Sequence, residues 1–268
     1  MRKELITASI IFAAGKGSRM KGYKGNKTLL PLIAGPSPFE GSHPILLQVL
    51  NCLPPGPKAL VINHGKEEVI KATRSLDLIF CEQPLLNGTG GALLASREFI
   101  ENQDYDRLLI SMGDVPFVRP SSFDNLLKTL NGSHMVVLGF KPADKKKYGV
   151  LEIGKENVKR IIEWKYWSQY SKEKQDRFDI CNSGIYAARK NELIQYLDIL
   201  EKRPHKVIKE RDNKMVEIEE FFIPDLVELM YEDGLKVGYV VTTDENEVMG
   251  VDDLQALTKA QEIFTKGV

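Results

Sequence analysis

Cysteine is scarce: Cys52, Cys81 and Cys181 are the only three in 268 residues. Three cysteines so far apart build no disulfide framework, and the lack of a Cys-x-x-Cys pair argues against a structural zinc site. A reducing, cytoplasmic setting is therefore expected. The four histidines, His43, His64, His134 and His205, are equally scattered and lack metal-ligand spacing. Net charge is absent as well, 37 Lys and Arg balancing 37 Asp and Glu. No global field draws the chain to nucleic acid or to an anionic membrane, so any phosphate binding has to be local. No apolar run approaches the roughly 20 residues that cross a bilayer. The start, Met1-Arg2-Lys3 and an apolar stretch, superficially resembles a signal peptide. Glu4, Thr7 and Ser9 interrupt it and the run feeds straight into a basic loop, so it reads as a first strand. With no internal repeat and no low-complexity block, one domain over residues 1–268 is expected.

What the chain does have is a dense run after Leu5–Phe12: Ala13 to Lys27, AAGKGSRMKGYKGNK, with Gly15, Gly17 and five cations in fifteen positions. Glycines free the backbone to wrap an anion and the cations fix positive charge around it, so a nucleoside triphosphate is the expected ligand. The spacing excludes the commonest phosphate loops. A dinucleotide fingerprint would need glycine at Met20, and a Walker loop would need Gly-Lys-Ser/Thr. The alternative is an ordinary strand-to-loop turn with a solvated basic face.

Short β-rich runs recur at Ala59–Asn63, Leu76–Cys81, Arg107–Met112, Met135–Phe140, Cys181–Ala187 and Val237–Val241. Helical patterns lie between several of them, clearest at Gly90–Glu101 and Phe123–Leu130. This alternation predicts an α/β fold with a Rossmann-like, mixed but mainly parallel sheet flanked by helices. Val150–Ile153 and Val158–Trp164 read as a hairpin joined by Gly154-Lys155-Glu156-Asn157. The charge-dense stretches Lys141–Lys147 and Lys202–Lys214 read as solvated connections, and the six-proline segment Gly35–Pro57 as an irregular excursion around the apolar run Ile45–Leu53.

Several constellations could carry chemistry. Asp114 follows the apolar run Leu108–Ile110, at a strand's carboxyl end, where open α/β sheets bind ligands. Mg²⁺ takes one or two carboxylates plus substrate phosphates, which makes Asp114 the first metal candidate. Asp252, beside Asp253, is the second, although aspartate at a helix start can equally be an N-cap. Asn87-Gly88-Thr89-Gly90 opens a helix and allows close backbone approach, with Thr89 as the competing N-cap. Gln83 carries an amide suited to a base edge. Gly149, Glu163, Lys165 and Asn182, from three separate elements, offer the neutral and charged partners that sugar hydroxyls require.

Taken in order, AAGKGSRMKGYKGNKTLLPL, Gln83 with Asn-Gly-Thr-Gly, Gly-Asp-Val-Pro, Tyr-Gly-Val, Ile-Glu-Trp-Lys, Asn-Ser-Gly-Ile-Tyr, Glu-Phe-Phe-Ile-Pro-Asp and Val-Met-Gly-Val-Asp-Asp resemble the sugar-1-phosphate nucleotidyltransferases. The strongest likeness is to the uridylyltransferase half of the bacterial N-acetylglucosamine-1-phosphate enzyme. The resemblance implies a glycosyltransferase-A-like sheet, with a nucleotide-binding part over about 1–115, a sugar-binding part over about 116–250 and a last helix over 252–265. It makes Ala13, Ala14, Gly15 and Gly17 nucleotide contacts, with Gln83, Gly88 and Thr89 holding the base. Arg19 and Lys27 become the catalytic cations, Asp114 and Asp252 the Mg²⁺ ligands, and Gly149, Glu163, Lys165 and Asn182 the sugar contacts. The implied reaction joins UTP to N-acetylglucosamine or glucose 1-phosphate and releases pyrophosphate. Alternatives are CTP, GTP or dTTP with another phosphorylated acceptor, or a catalytically silent nucleotide-sugar-binding regulator. Two departures stand out. Gly91 replaces the histidine that those relatives place after Gly-Thr-Gly, and Asp252 replaces their asparagine. Their left-handed β-helical acetyltransferase half is not expected, and self-association is left open.

Overall fold

Residues 5–211 and 214–267 are described by the structure, a computed structural model. In chain order the elements begin β1 (Thr7–Phe12), β2 (Pro31–Ala34), β3 (Gly41–Pro44), α1 (Ile45–Cys52), β4 (Lys58–Ile62), α2 (Lys66–Thr73) and β5 (Ile79–Glu82). There follow α3 (Gly88–Ala95), α4 (Arg97–Asn102), β6 (Arg107–Met112), α5 (Pro120–Leu130), β7 (Met135–Phe140), β8 (Val150–Gly154) and β9 (Asn157–Ile162). The last part holds α6 (Trp164–Trp167), α7 (Lys172–Gln175), β10 (Cys181–Arg189), α8 (Lys190–Glu201), β11 (His205–Arg211), β12 (Lys214–Glu220), α9 (Ile223–Glu232), β13 (Val237–Thr242) and α10 (Leu254–Gly267).

The main sheet runs β13-β7-β10-β6-β1-β4-β5, with β8 and β9 joined at β10. β1 pairs in parallel with β4 and β6, as do β4 with β5 and β13 with β7; β10 runs antiparallel to β6 and β7. Strand side chains alternate between faces, and both faces are covered. Ile11, Leu60, Leu109 and Val136 pack on one side with α1, α5 and α10, while Ile10, Val61, Ile110 and Val137 pack on the other with α3, α8 and α9. This is the expected mixed, mainly parallel sheet, and cover on both faces explains why β7 is buried along its whole length and why apolar residues run consecutively through the middle of β1, β4 and β6.

Local expectations fail in three places. The helix expected over Gly90–Glu101 breaks at Ser96, whose Oγ donates to the Ala92 carbonyl at 3.0 Å and competes with the helical ladder. The segment Gly35–Pro57 is not irregular: it contributes β3, paired with β2 across a tight loop, and the amphipathic helix α1. Lys202–Lys214 is not a solvated connection. Residues 205–211 form the whole of β11, antiparallel to β12 from His205 opposite Glu220 onward, and residues 212–213 lie outside those described. Strand pairing satisfies backbone groups whatever the side chains are, so a cation-rich run can be a strand when one partner strand supplies carboxylates. Lys209 pairs with Glu220, and Lys206 lies 3.7 Å from Glu217.

Candidate active site

The register of the sheet brings the sequence candidates to one edge. Phe12 and Met112 are partners at the carboxyl ends of β1 and β6, and Phe140 at the end of β7 faces Cys181 at the start of the antiparallel β10. Val150 in turn faces Cys181 on one side and Ile162 on the other. The loops carrying Ala13–Lys27, Gln83, Asp114, Gly149, Glu163 and Asp252, together with Asn182 at the start of β10, therefore all lie at the carboxyl edge of the parallel strands, the usual ligand side of such sheets.

The loop after β1 is fixed by a residue that the sequence pattern did not single out. Asn26 is fully buried and donates from Nδ2 to the carbonyls of Ala13 (2.7 Å) and His64 (2.8 Å). Its Oδ1 accepts from Thr28 N (3.0 Å) and Thr28 Oγ1 (2.8 Å). One amide thus ties the end of β1, the segment after β4 and the turn at Lys27 together, and an asparagine in a polar loop gives no periodic signal of such a role. Gly17, at φ +60°, lies over the Lys27 stem, where an added Cβ would come within 3.2 Å. The expected nucleotide contacts differ in availability. Ala13 is buried, its amide bonded to the Val61 carbonyl at 2.9 Å, whereas an added Cβ at Gly15 would meet only open space.

Lys27 bridges the two acids. Its Nζ donates to Asp114 Oδ2 and, at 2.5 Å, to Asp252 Oδ1, with its side chain only 13% exposed. Arg19, largely in solvent, reaches the other Asp252 oxygen at 3.1 Å. Desolvation opposes the charge on Lys27, but the two carboxylates outweigh it and hold the ammonium above its ordinary value. The acid-bearing segments are joined through the backbone too, Val251 N donating to the Asp114 carbonyl at 2.9 Å. The N-cap alternative for the Asp pair resolves between neighbours: Asp253 Oδ1 accepts from Ala256 N at 2.9 Å at the start of α10, which leaves Asp252 turned to the cations.

The glycines after Gln83 serve packing. Gly88, at φ +93°, has no room for a Cβ, which would lie 2.3 Å from the Phe221 carbonyl, and a Cβ at Gly90 would lie 2.6 Å from the same backbone. Thr89 is not the N-cap of its own helix, which starts at Gly88; its Oγ1 accepts from Ile223 N at 3.2 Å, at the first turn of α9. Asn87 fills the space above Gly91, where a Cβ would stand 1.8 Å from its Oδ1. Gln83 is buried, with Nε2 donating to Asn87 Oδ1 (3.0 Å) and the Gly88 carbonyl (3.2 Å).

Further along the same edge, Asn182 N donates to the Gly149 carbonyl at 2.8 Å, and a Cβ on Gly149 would stand 3.2 Å from Glu163 Oε1. Gly149, Glu163 and Asn182 are thereby brought together. The Asn182 amide itself supports the bulge in β10, donating to Tyr186 Oη (2.8 Å) and accepting from Gly184 N (3.1 Å). Lys165 is exposed, its Nζ 4.7 Å from the Tyr166 ring. Asp225, paired with His205 Nε2 at 2.9 Å, lies close enough to Glu163 to act on its carboxyl, a proximity with no signal in the sequence. Desolvation pushes the Glu163 carboxyl above its ordinary 4.5; Lys165 pulls it back and Asp225 adds to the rise.

A carboxyl that holds its proton more tightly when folded costs stability once the unfolded group has ionised, and costs nothing below that point. Glu163→Gln is accordingly expected to melt at a higher temperature than the native chain at pH 7, with the difference closing as the pH falls below about 4.5. Thermal melts at pH 7 and pH 4 check this, and an E163Q protein less stable at pH 7 would contradict it.

A family model described as the MobA-like NTP transferase domain matches residues 9–171, which include the phosphate-type loop, Lys27, Asp114, Gly149 and Glu163. The chain belongs to the MobA-like NTP transferase family. Asn182, Asp225 and Asp252 lie beyond the matched span. Among curated relatives, the bifunctional protein GlmU of Roseobacter denitrificans is 31% identical over 260 residues, covering 96% of this chain and 52% of its own length. That of Novosphingobium aromaticivorans is 32% identical, covering 95% and 52%. This NTP transferase chain thus spans about half the length of those relatives. Among solved structures, a Bacillus anthracis protein assigned as a glucose-1-phosphate thymidylyltransferase, in complex with a sucrose, superposes with TM-score 0.68 at 19% identity, covering 96% of this chain and 94% of the other. A CMP:2-keto-3-deoxy-manno-octonic acid synthetase complexed with CTP gives 0.65 at 16%, covering 98% and 100%. Both share the NTP transferase fold. Among the described residues no helix is long and apolar enough to cross a membrane.

Proposed function

We propose that the protein transfers a nucleotidyl group from a nucleoside triphosphate to a sugar 1-phosphate and releases pyrophosphate. One observation carries this reading: Arg19 and Lys27 from the glycine-rich loop meet Asp114 and Asp252, which come from two other loops, at the carboxyl edge of the sheet. The neighbour named as a glucose-1-phosphate thymidylyltransferase supports a sugar phosphate as acceptor, and the one named as a CMP:2-keto-3-deoxy-manno-octonic acid synthetase supports nucleotidyl transfer to a sugar acid as the alternative. UTP with N-acetylglucosamine or glucose 1-phosphate is the pair to test first.

The donor set fits Mg²⁺. Both acids turn an oxygen onto one positive atom, Lys27 Nζ, so the ammonium stands where a cation is wanted. Mg²⁺ takes one or two carboxylates and completes its shell with phosphate and water, which is the donor set that two aspartates and a triphosphate would offer. Asp114 and Asp252 would hold it, and bound there it would neutralise charge on the phosphate oxygens.

A phosphate monoester has a second pKa of about 6, so the acceptor is already largely dianionic near neutral pH and needs no general base. The protein's task is positioning and charge stabilisation. Amides near Gly15 and Gly17 cradle the triphosphate. Lys27 offsets charge at the reacting phosphorus, and the solvent-facing Arg19 steadies the departing pyrophosphate. Gly149 lets the acceptor approach the wall made by Glu163 and Asn182. Gln83, whose amide donors are committed internally, offers its oxygen to a donor on the base.

A panel of triphosphates against a panel of sugar 1-phosphates, with Mg²⁺ and pyrophosphate release as readout, tests the reading. It holds if one pair turns over well above the rest, and falls if none exceeds background.

A further inference from the structure

The Lys27 ammonium is not merely near the acid pair. It touches both carboxylates, is almost enclosed, and has its stem held under Gly17. Two carboxylates converging without a cation would repel one another in a site of reduced dielectric, and the lysine between them removes that repulsion. The second Asp252 oxygen is taken by Arg19. A divalent ion arriving alone would have to expel Lys27 from a position where it has two partners and leave it beside a dication with none.

We infer that Lys27 is a placeholder for the metal: in the free protein it closes the Asp114–Asp252 site to divalent ions, and the triphosphate opens that site by drawing the lysine onto its own phosphates. This rests on the proposed role of the two acids as metal ligands. It goes beyond that role in making occupancy by metal conditional on nucleotide. The same side chain compensates the acids before the nucleotide binds and compensates the nucleotide afterwards, so each ligand improves the site for the other. By linkage the strengthening is reciprocal. Such a device keeps the site from trapping divalent ions when no substrate is present.

The test uses Mn²⁺ alone, titrated calorimetrically into nucleotide-free protein. Lys27→Met keeps the stem that packs against Gly17 and removes the charge; Lys27→Gln is the second variant should the first fold poorly. Either is expected to bind Mn²⁺ about tenfold or more tightly than the native chain, a factor typical of coupled sites. Adding Asp114→Asn to the same variant should abolish the gain. In thermal melts, Mn²⁺ should raise the midpoint of the lysine variant and leave the native chain almost unmoved. Native protein binding free Mn²⁺ as tightly as the variants would overturn the inference, as would lysine variants that gain no affinity. Either failure would leave Mg²⁺-dependent pyrophosphate release by the native chain intact, whereas failure of the nucleotidyltransferase reading would show as no release from any substrate pair.

Discussion

Asp114→Ala is expected to lower turnover about a thousandfold, the scale on which removing one charge-stabilising group from a preorganised site acts. The fold should survive. The Asp114 carbonyl still accepts from Val251 N, and Lys27 keeps Asp252 as partner, so no charge is left buried and alone. The neighbouring acid supplies the control. Asp253 caps α10 rather than facing the cations, so Asp253→Ala should cost about 1 kcal/mol of stability and leave turnover near normal. Pyrophosphate release at saturating substrate and urea unfolding, run on both variants, separate the two behaviours. Near-normal turnover in D114A would remove Asp114 from the chemistry.

Asn26→Ala is expected to be the most damaging single change to the loop. It deletes two donated and two accepted hydrogen bonds at a fully buried position and strands the Ala13 and His64 carbonyls and the Thr28 groups. Unsatisfied buried polar groups cost about 1 to 3 kcal/mol each, partly relieved by relaxation, so a loss of about 3 kcal/mol is expected in urea unfolding. Turnover should fall as well, because Asn26 immediately precedes Lys27 and is what holds its turn against β1. A loss below about 1 kcal/mol would show that the loop is held by its other contacts.

The contrast between these positions shows what the sequence could reveal. The central strands β1, β4, β6 and β7 were readable because burial on both faces demands consecutive apolar residues; Arg107–Met112 and Met135–Phe140 have the bounds that their composition suggests. Asp114 was readable because it directly follows such a run. The hairpin β11–β12 was not, since its stability comes from pairing with a partner strand and its side chains are mostly solvated, which looks like a loop to any periodicity argument. Asn26 was hidden for a related reason. Its importance lies in carbonyls 13 and 38 residues away in sequence that only the folded sheet brings within reach. The Gly88–Gly90 motif was seen but its physical demand was not, for the close approach that it permits is to Phe221 of its own chain. Adjacent identical residues could not show which of Asp252 and Asp253 caps α10 and which faces the cations; in the fold Asp253 caps the helix and Asp252 contacts Lys27.

The most direct measurement is a crystal of the protein with Mn²⁺ and a non-hydrolysable nucleoside triphosphate, read by the anomalous signal of manganese. One peak in contact with carboxylate oxygens of both Asp114 and Asp252, with Lys27 withdrawn onto a phosphate, is the result predicted. Manganese bound away from either acid, or Lys27 still bridging the two with nucleotide present, would contradict the account.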